Sequence, residues 1–91
     1  MENFNRETMA GFDRILASDE PEMTKLAQTF EWSTRRMIQV AQNEIDLSRA
    51  LQDRSAVVKH QIKANTLRLV REMFQDCYLR VTGERRRLWE A

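Results

Sequence analysis

Glycine and proline are nearly missing from this chain, with two of the first and one of the second in 91 residues. Neither occurs between Pro21 and Gly83, a stretch of 61 residues. Without those punctuators a strand-rich or doubly wound fold, which needs frequent turns, is excluded in favour of long helices. Cysteine is almost as scarce. Cys77 stands alone, so no internal disulfide can form, and with His60 as the sole histidine no spacing supplies a zinc-type ligand set. No run resembles the apolar core of a signal peptide or approaches the ~20 apolar residues of a membrane span. Glycine-rich phosphate loops and an aromatic-basic RNA signature are also missing. These gaps lead us to expect a reducing, cytoplasmic compartment, no membrane partner, no metal and no other cofactor.

What is present is helix-forming material. Charged residues make up 32% and hydrophobic residues 42%, too apolar for a disordered chain and ordinary for a helical bundle. The length suits one domain, 1–91, whose independent core would be marginal, so association is expected. The net charge of +1 hides an asymmetry. Met1 to Glu31 holds seven acids against three bases, and Trp32 to Ala91 seven acids against twelve bases. The acidic first third is therefore suited to meet the basic remainder, in the same chain or a neighbour, which leaves little net field for nucleic acid.

Periodicity divides the chain into three helices and a tail. A short helix over 4–17 carries a narrow stripe of Phe4, Met9, Phe12, Ile15 and Leu16. A second, over 20–52, is expected to start with Asp19 as cap, Glu22 completing a capping box and Pro21 in the first turn. Its apolar face reads Met23, Leu26, Ala27, Phe30, Met37, Ile38, Ala41 and Ile45, with Thr34 and Ser48 in the row. Gln52-Asp53-Arg54-Ser55 lacks apolar residues and offers Asp53 or Ser55 as a new cap, which favours a tight turn over one rod continuing to Thr82. The third helix, over 56–82, carries a stripe covering about half its circumference, including Thr66, Leu67, Leu69, Val70, Met73, Phe74, Cys77, Tyr78 and Val81. One neighbouring helix cannot cover that width, so either both other helices or a second subunit must. Gly83 sits where a left-handed cap belongs, and 84–91 reads as a charged tail.

Few residues carry chemistry. A nucleophilic pair of Cys77 and His60 is disfavoured, since roughly 20 Å or more would separate them along one helix. Cys77 is expected in the core and His60 at the surface or helix start. Glu44, near the apolar face, suits an ion pair at the seam's edge better than acid-base work. Arg49, Arg54, Lys59 and Lys63 flank the turn, and Arg85, Arg86 and Arg87 lie in the tail; they read as solvated surface, with an anion or nucleic-acid contact as the alternative. Trp32 points away from the Phe30–Met37–Ala41 stripe, so either another helix covers it or it is an exposed aromatic anchor. Trp89, beside the tail arginines, is a further aromatic anchor.

The sequence thus predicts an all-α fold: an antiparallel hairpin of two long helices with a short N-terminal helix, bundle-like and oligomeric, with no catalytic residues. The expected function is protein–protein interaction, as an adaptor, inhibitor or chaperone, through Trp32, Leu69, Met73, Phe74, Tyr78 and Trp89, the partner being another protein or a second copy in a homodimer. Two alternatives are binding of nucleic acid or nucleoprotein through the arginines and lysines above, and a role as component or chaperone of a larger bacterial or phage assembly.

Overall fold

The computed structural model describes residues 2–83, with side chains from Arg6 onward. The Phe4 side chain and the tail residues Arg85, Arg86, Arg87, Leu88 and Trp89 lie outside the described residues. All regular structure within them is helical: α1 is Glu2–Leu16, α2 Glu22–Ala50 and α3 Arg54–Thr82. No described helix is long and apolar enough to cross a membrane.

Proline sets the start of α2, though not through the expected capping box. Pro21 is itself the N-cap, with ψ 155°, and no side chain caps this end. The physical reason is that a residue preceding proline is driven out of helical backbone, so Glu20 cannot serve as the first helical residue that an Asp19 cap requires. Lys25 secures the junction instead. Its amide donates to the Pro21 carbonyl at 2.9 Å, while its Nζ donates to the Leu16 carbonyl at 2.8 Å, occupying an acceptor left free at the end of α1.

The turn between α2 and α3 is Leu51–Asp53. The Asp53 amide donates to the Ser48 carbonyl at 2.9 Å and the Gln52 amide to the Arg49 carbonyl at 3.0 Å, the paired bonds of a Schellman ending. That geometry puts Gln52 at φ 58°, where glycine is the residue without a steric penalty. Asp53 then starts α3 at once, its side chain accepting from the Ala56 amide at 3.1 Å. Gly83 ends α3 at φ 72°, its amide donating to Leu79 at 2.7 Å.

These turns fold α3 back along α2. The buried positions of α2 are Thr24, Ala27, Glu31, Thr34, Ala41, Ile45 and Ser48, alternating by three and four residues in the repeat of an antiparallel coiled-coil seam. On α3 the matching row contains Val57, Ala64, Arg71 and Tyr78, of which Ala64 and Tyr78 are buried. The seam is made of small and polar side chains. Among the described residues no large side chain is fully buried; an Ala41–Ile45–Ala64 cluster with Val57 against it forms the apolar core near the turn.

Candidate functional site

The face available for function follows from where α1 sits. Trp32 and Arg36, one turn apart on α2, both reach α1 across about 24 to 29 residues of sequence. The Trp32 indole N–H donates to the Thr8 carbonyl at 2.9 Å, and Arg36 bonds Glu7 at 2.9 Å while its Nε donates to the Thr8 hydroxyl at 3.3 Å. The Arg36 guanidinium also lies 5.6 Å from the centroid of the Trp32 ring. Gly11 makes this approach feasible. It is buried, and a Cβ there would collide with the indole.

Glu31, the residue before Trp32, points to α3 instead. Its carboxylate accepts from Arg71 through both oxygens, with the Arg71 Nε at 2.7 Å, and from Arg35 at 3.0 Å. Adjacent helical residues are about 100° apart, so the α1 and α3 contacts occupy different sides of α2. Packing agrees, since α1 lies against α2 and makes little contact with α3. The molecule measures 46 × 29 × 17 Å, consistent with α2 in the middle of three helices placed side by side.

The two broad faces of this arrangement differ in chemistry. Gln28, Arg35, Gln42 and Arg49 recur every seven residues on α2 and therefore line one face. A shallow cleft there contains Gln42 and Arg49 together with Gln61, Asn65 and Arg68 of α3. On the opposite flank of α2 lies the row Met23, Phe30, Met37, with Leu26 beside it. Phe30 stacks on Phe74 of α3, with centroids 4.2 Å apart and planes at 14°, which joins this flank to the α3 rows holding Val70, Met73, Cys77 and Val81. On α1, the same heptad logic puts Met9, Phe12 and Leu16 on this side. The structure thus has a polar face and an apolar one.

Much of that apolar face is open to solvent: Met37 is 49% exposed, Met73 59% and Leu69, at its outer edge, 56%. The physical cause is the placement of α1. The wide stripe of α3 was expected to be covered by both other helices or by a second subunit, and α1 docks on the far side of α2. Only α2 covers α3. The outer half of the stripe is left bare, and Cys77, expected in the core, is exposed with it.

The remaining predicted residues divide by environment. Phe74 is half-buried in its stack and Tyr78 is buried behind it, 6.4 Å from Phe74 centroid to centroid. Trp32 is covered by α1, the first of its two alternatives. Arg49, Arg54, Lys59 and Lys63 are all exposed around the turn and make no ion pair among the described residues. His60 is not a surface residue: its side chain is tucked between the long helices, with Nε2 3.9 Å from the Glu44 carboxylate and Nδ1 buried without a hydrogen-bond partner. Among the described residues, no group of three or more His, Cys, Asp or Glu side chains is placed to hold a metal ion.

Three residues that organise the site are not among those singled out from the sequence. Gly11 carried a signal, as one of only two glycines and the one inside a helix. Glu31 and Arg71 carried a weaker one. Glu31 falls four residues after Ala27 and three before Thr34, in the seam's own repeat, but a carboxylate is ordinarily assigned to the surface. Comparison with protein-family models, curated proteins and solved structures finds no match to this chain.

Proposed function

We propose that this chain is a helical protein–protein interaction module that binds through its apolar face. The observation that carries the reading is the continuity of Leu26, Phe30 and Met37 on α2 with Val70, Met73 and Phe74 on α3. Contiguous exposed apolar surface of this kind marks an interaction site, whereas scattered single residues would not. Four methionines on the face, Met9, Met23, Met37 and Met73, give it a deformable surface able to fit a partner's side chains. The aromatic stack beneath them is fixed and supports the centre. An exposed thiol at Cys77 suits a reducing, cytoplasmic setting.

The test is affinity capture from the native cell with the paired substitution Met37→Asp/Met73→Asp as control. Recovery of a protein by the natural chain and its loss with the variant is expected, with helical content equal in both. Equal recovery by the two chains would remove the face from the function.

A second reading has its own observation: Arg49, Arg54, Lys59 and Lys63 lie exposed toward the turn end with no ion-pair partner among the described residues. Nucleic-acid binding there would weaken steeply with salt. Failure to bind a fluorescent oligonucleotide at low ionic strength eliminates it.

A further inference from the structure

We infer that the polar face of the hairpin holds an oxyanion site: the cleft between α2 and α3 at Arg49 and Arg68 takes the phosphate group of a small phosphomonoester. The site is independent of the apolar face, which lies on the other side of α2.

The two rows bordering this cleft share one pattern. On α2 the row reads Gln28, Arg35, Gln42, Arg49, and on α3 the heptad row Arg54, Gln61, Arg68, Gln75 runs beside it in the opposite direction. Glutamine therefore falls opposite glutamine and arginine opposite arginine. Flanking positions of paired helices ordinarily carry opposite charges that meet as salt bridges, yet neither row contains a carboxylate. Facing cations repel unless an anion lies between them. Arg35 has such an anion within the chain, in Glu31. Arg49 and Arg68 make no ion pair among the described residues.

The cleft suits the missing anion in size and in donors. Buried Ile45 and Ala64 form its floor, and half-buried Gln42 and Gln61, exposed Asn65 and the two exposed arginines complete the lining. Its volume, about 230 Å³, is below the ~300–1,000 Å³ of pockets that enclose a whole organic ligand, so it accommodates a tetrahedral headgroup with the rest of the ligand outside. The Asn65 Oδ1 accepts from Arg68 at 3.2 Å, which leaves the Asn65 side-chain N–H groups as donors, and Gln61 supplies a second amide. A phosphomonoester brings nearly two negative charges at pH 7 and three acceptor oxygens; two guanidinium forks match it in charge and geometry. The phosphodiesters of a nucleic-acid strand carry one charge each and are strung along a track, which a cleft of this size does not provide.

Carboxylates lie at the rim. Asp46 is three residues before Arg49 and Glu72 four after Arg68, within helical pairing distance. Asp46 accepts from the Gln42 Nε2 at 3.3 Å instead, and neither acid pairs with an arginine, although Arg80 closes on Asp76 at the same four-residue spacing. Both rim acids oppose an incoming anion without filling the cleft.

The experiment is ¹⁵N–¹H NMR of the full chain at pH 7.5 and low ionic strength, titrated with inorganic phosphate, with glycerol phosphate and with a single-stranded oligonucleotide. The first two should move the side-chain amide signals of Gln61 and Asn65 along a saturating curve. Arg49→Gln and Arg68→Gln should each weaken binding about ten-fold or more, the loss of a charged hydrogen bond, with circular dichroism unchanged because both side chains are exposed. Arg14→Gln removes the same charge from α1 and should leave affinity within about two-fold, while Asp46→Asn should tighten binding. Shifts that never saturate, or an Arg14→Gln loss equal to that of Arg68→Gln, show a diffuse response to surface charge and overturn the site. An oligonucleotide that moves the Gln61 and Asn65 signals when phosphate and glycerol phosphate do not overturns the phosphomonoester as ligand.

Discussion

Replacing Gly11 by alanine sets two effects of opposite sign against each other. In an exposed helix the change is favourable by about 1 kcal/mol, the difference in helix propensity. Here the new methyl group would fall inside contact distance of the Trp32 ring atoms Cε2, Nε1 and Cζ2, so the indole or the whole of α1 must move. Overpacking of this kind costs about 1–3 kcal/mol. Displacing the ring also gives up the Nε1 bond to the Thr8 carbonyl, with a net value of about 1 kcal/mol, and the Arg36 contact over its face, a further ~0.5 kcal/mol. The losses exceed the propensity gain by about 2 kcal/mol. Since α1 is held chiefly by this cluster on α2, that deficit falls on its docking.

The assay is fluorescence of Trp32 during urea unfolding, in a Trp89→Phe background that leaves one emitter. Gly11→Ala should shift Trp32 emission to the red before any denaturant is added and lower the midpoint, with the helicity of α2 and α3 retained. Removing the indole by Trp32→Ala, with unfolding then followed by circular dichroism because no tryptophan is left, should reverse the sign, making Gly11→Ala neutral or stabilising. A raised midpoint with unshifted emission in the presence of Trp32 would refute the claim that Gly11 is there to admit the indole.

Other substitutions test the elements that position the face. Gln52→Gly removes the strain of a positive φ and should stabilise the chain by about 0.5–1 kcal/mol, after allowance for the greater freedom of glycine when unfolded, read as a higher urea midpoint; a lower midpoint contradicts the Schellman ending. Asp53→Ala deletes the one side-chain cap of α3 and should cost about 1 kcal/mol by the same measurement. Glu31→Ala leaves Arg71 facing the seam unpaired; because that side chain is 25% exposed, the loss should be about 2–3 kcal/mol, less than for a fully buried pair. A double-mutant cycle with Arg71→Met should show coupling of at least ~1 kcal/mol, and additive losses would show that the ion pair does not join the helices.

The hairpin was legible in the sequence because its signals are local. Absence of glycine and proline fixed long helices, the apolar gap at Gln52–Ser55 marked the turn, and Gly83 marked the last cap. The start of α2 was misread, as two local rules competed there: Asp19 and Glu22 have capping-box spacing, but the restriction that Pro21 places on Glu20 prevails. Side-chain bulk misled more deeply. The stripe read on α2 includes the seam residues Ala27, Thr34, Ala41, Ile45 and Ser48, but its largest members Met23, Leu26 and Met37 are exposed, and the seam residues Thr24 and Glu31 lie outside it. Summed hydrophobicity centres the face on its largest members, and close helix approach centres the seam on its smallest. The partner of Trp32 was hidden for another reason. Its contact depends on which side of α2 receives α1, a tertiary choice that no residue of α2 alone records.

That choice ties the stability of the fold to its exposed face. A seam of alanine, threonine and serine brings α2 and α3 close but removes little apolar area from water, and each large apolar side chain left outside forgoes about 1.5–3 kcal/mol of possible burial. The Glu31–Arg71 pair between the Ala41–Ile45–Ala64 cluster and the Phe30–Phe74–Tyr78 stack adds directional constraint rather than burial, since sliding either helix by one turn would strand both charges. The seam therefore specifies how the hairpin is registered, while most of the apolar side chains capable of stabilising it lie on the outer face. If α1 had docked against α3, it would have covered that face and closed the bundle. Held by Trp32 and Arg36 on the far flank of α2, α1 instead widens the face by adding Met9 and Leu16, both exposed. The same contacts that complete the monomer thus enlarge the surface on which a partner would be seated.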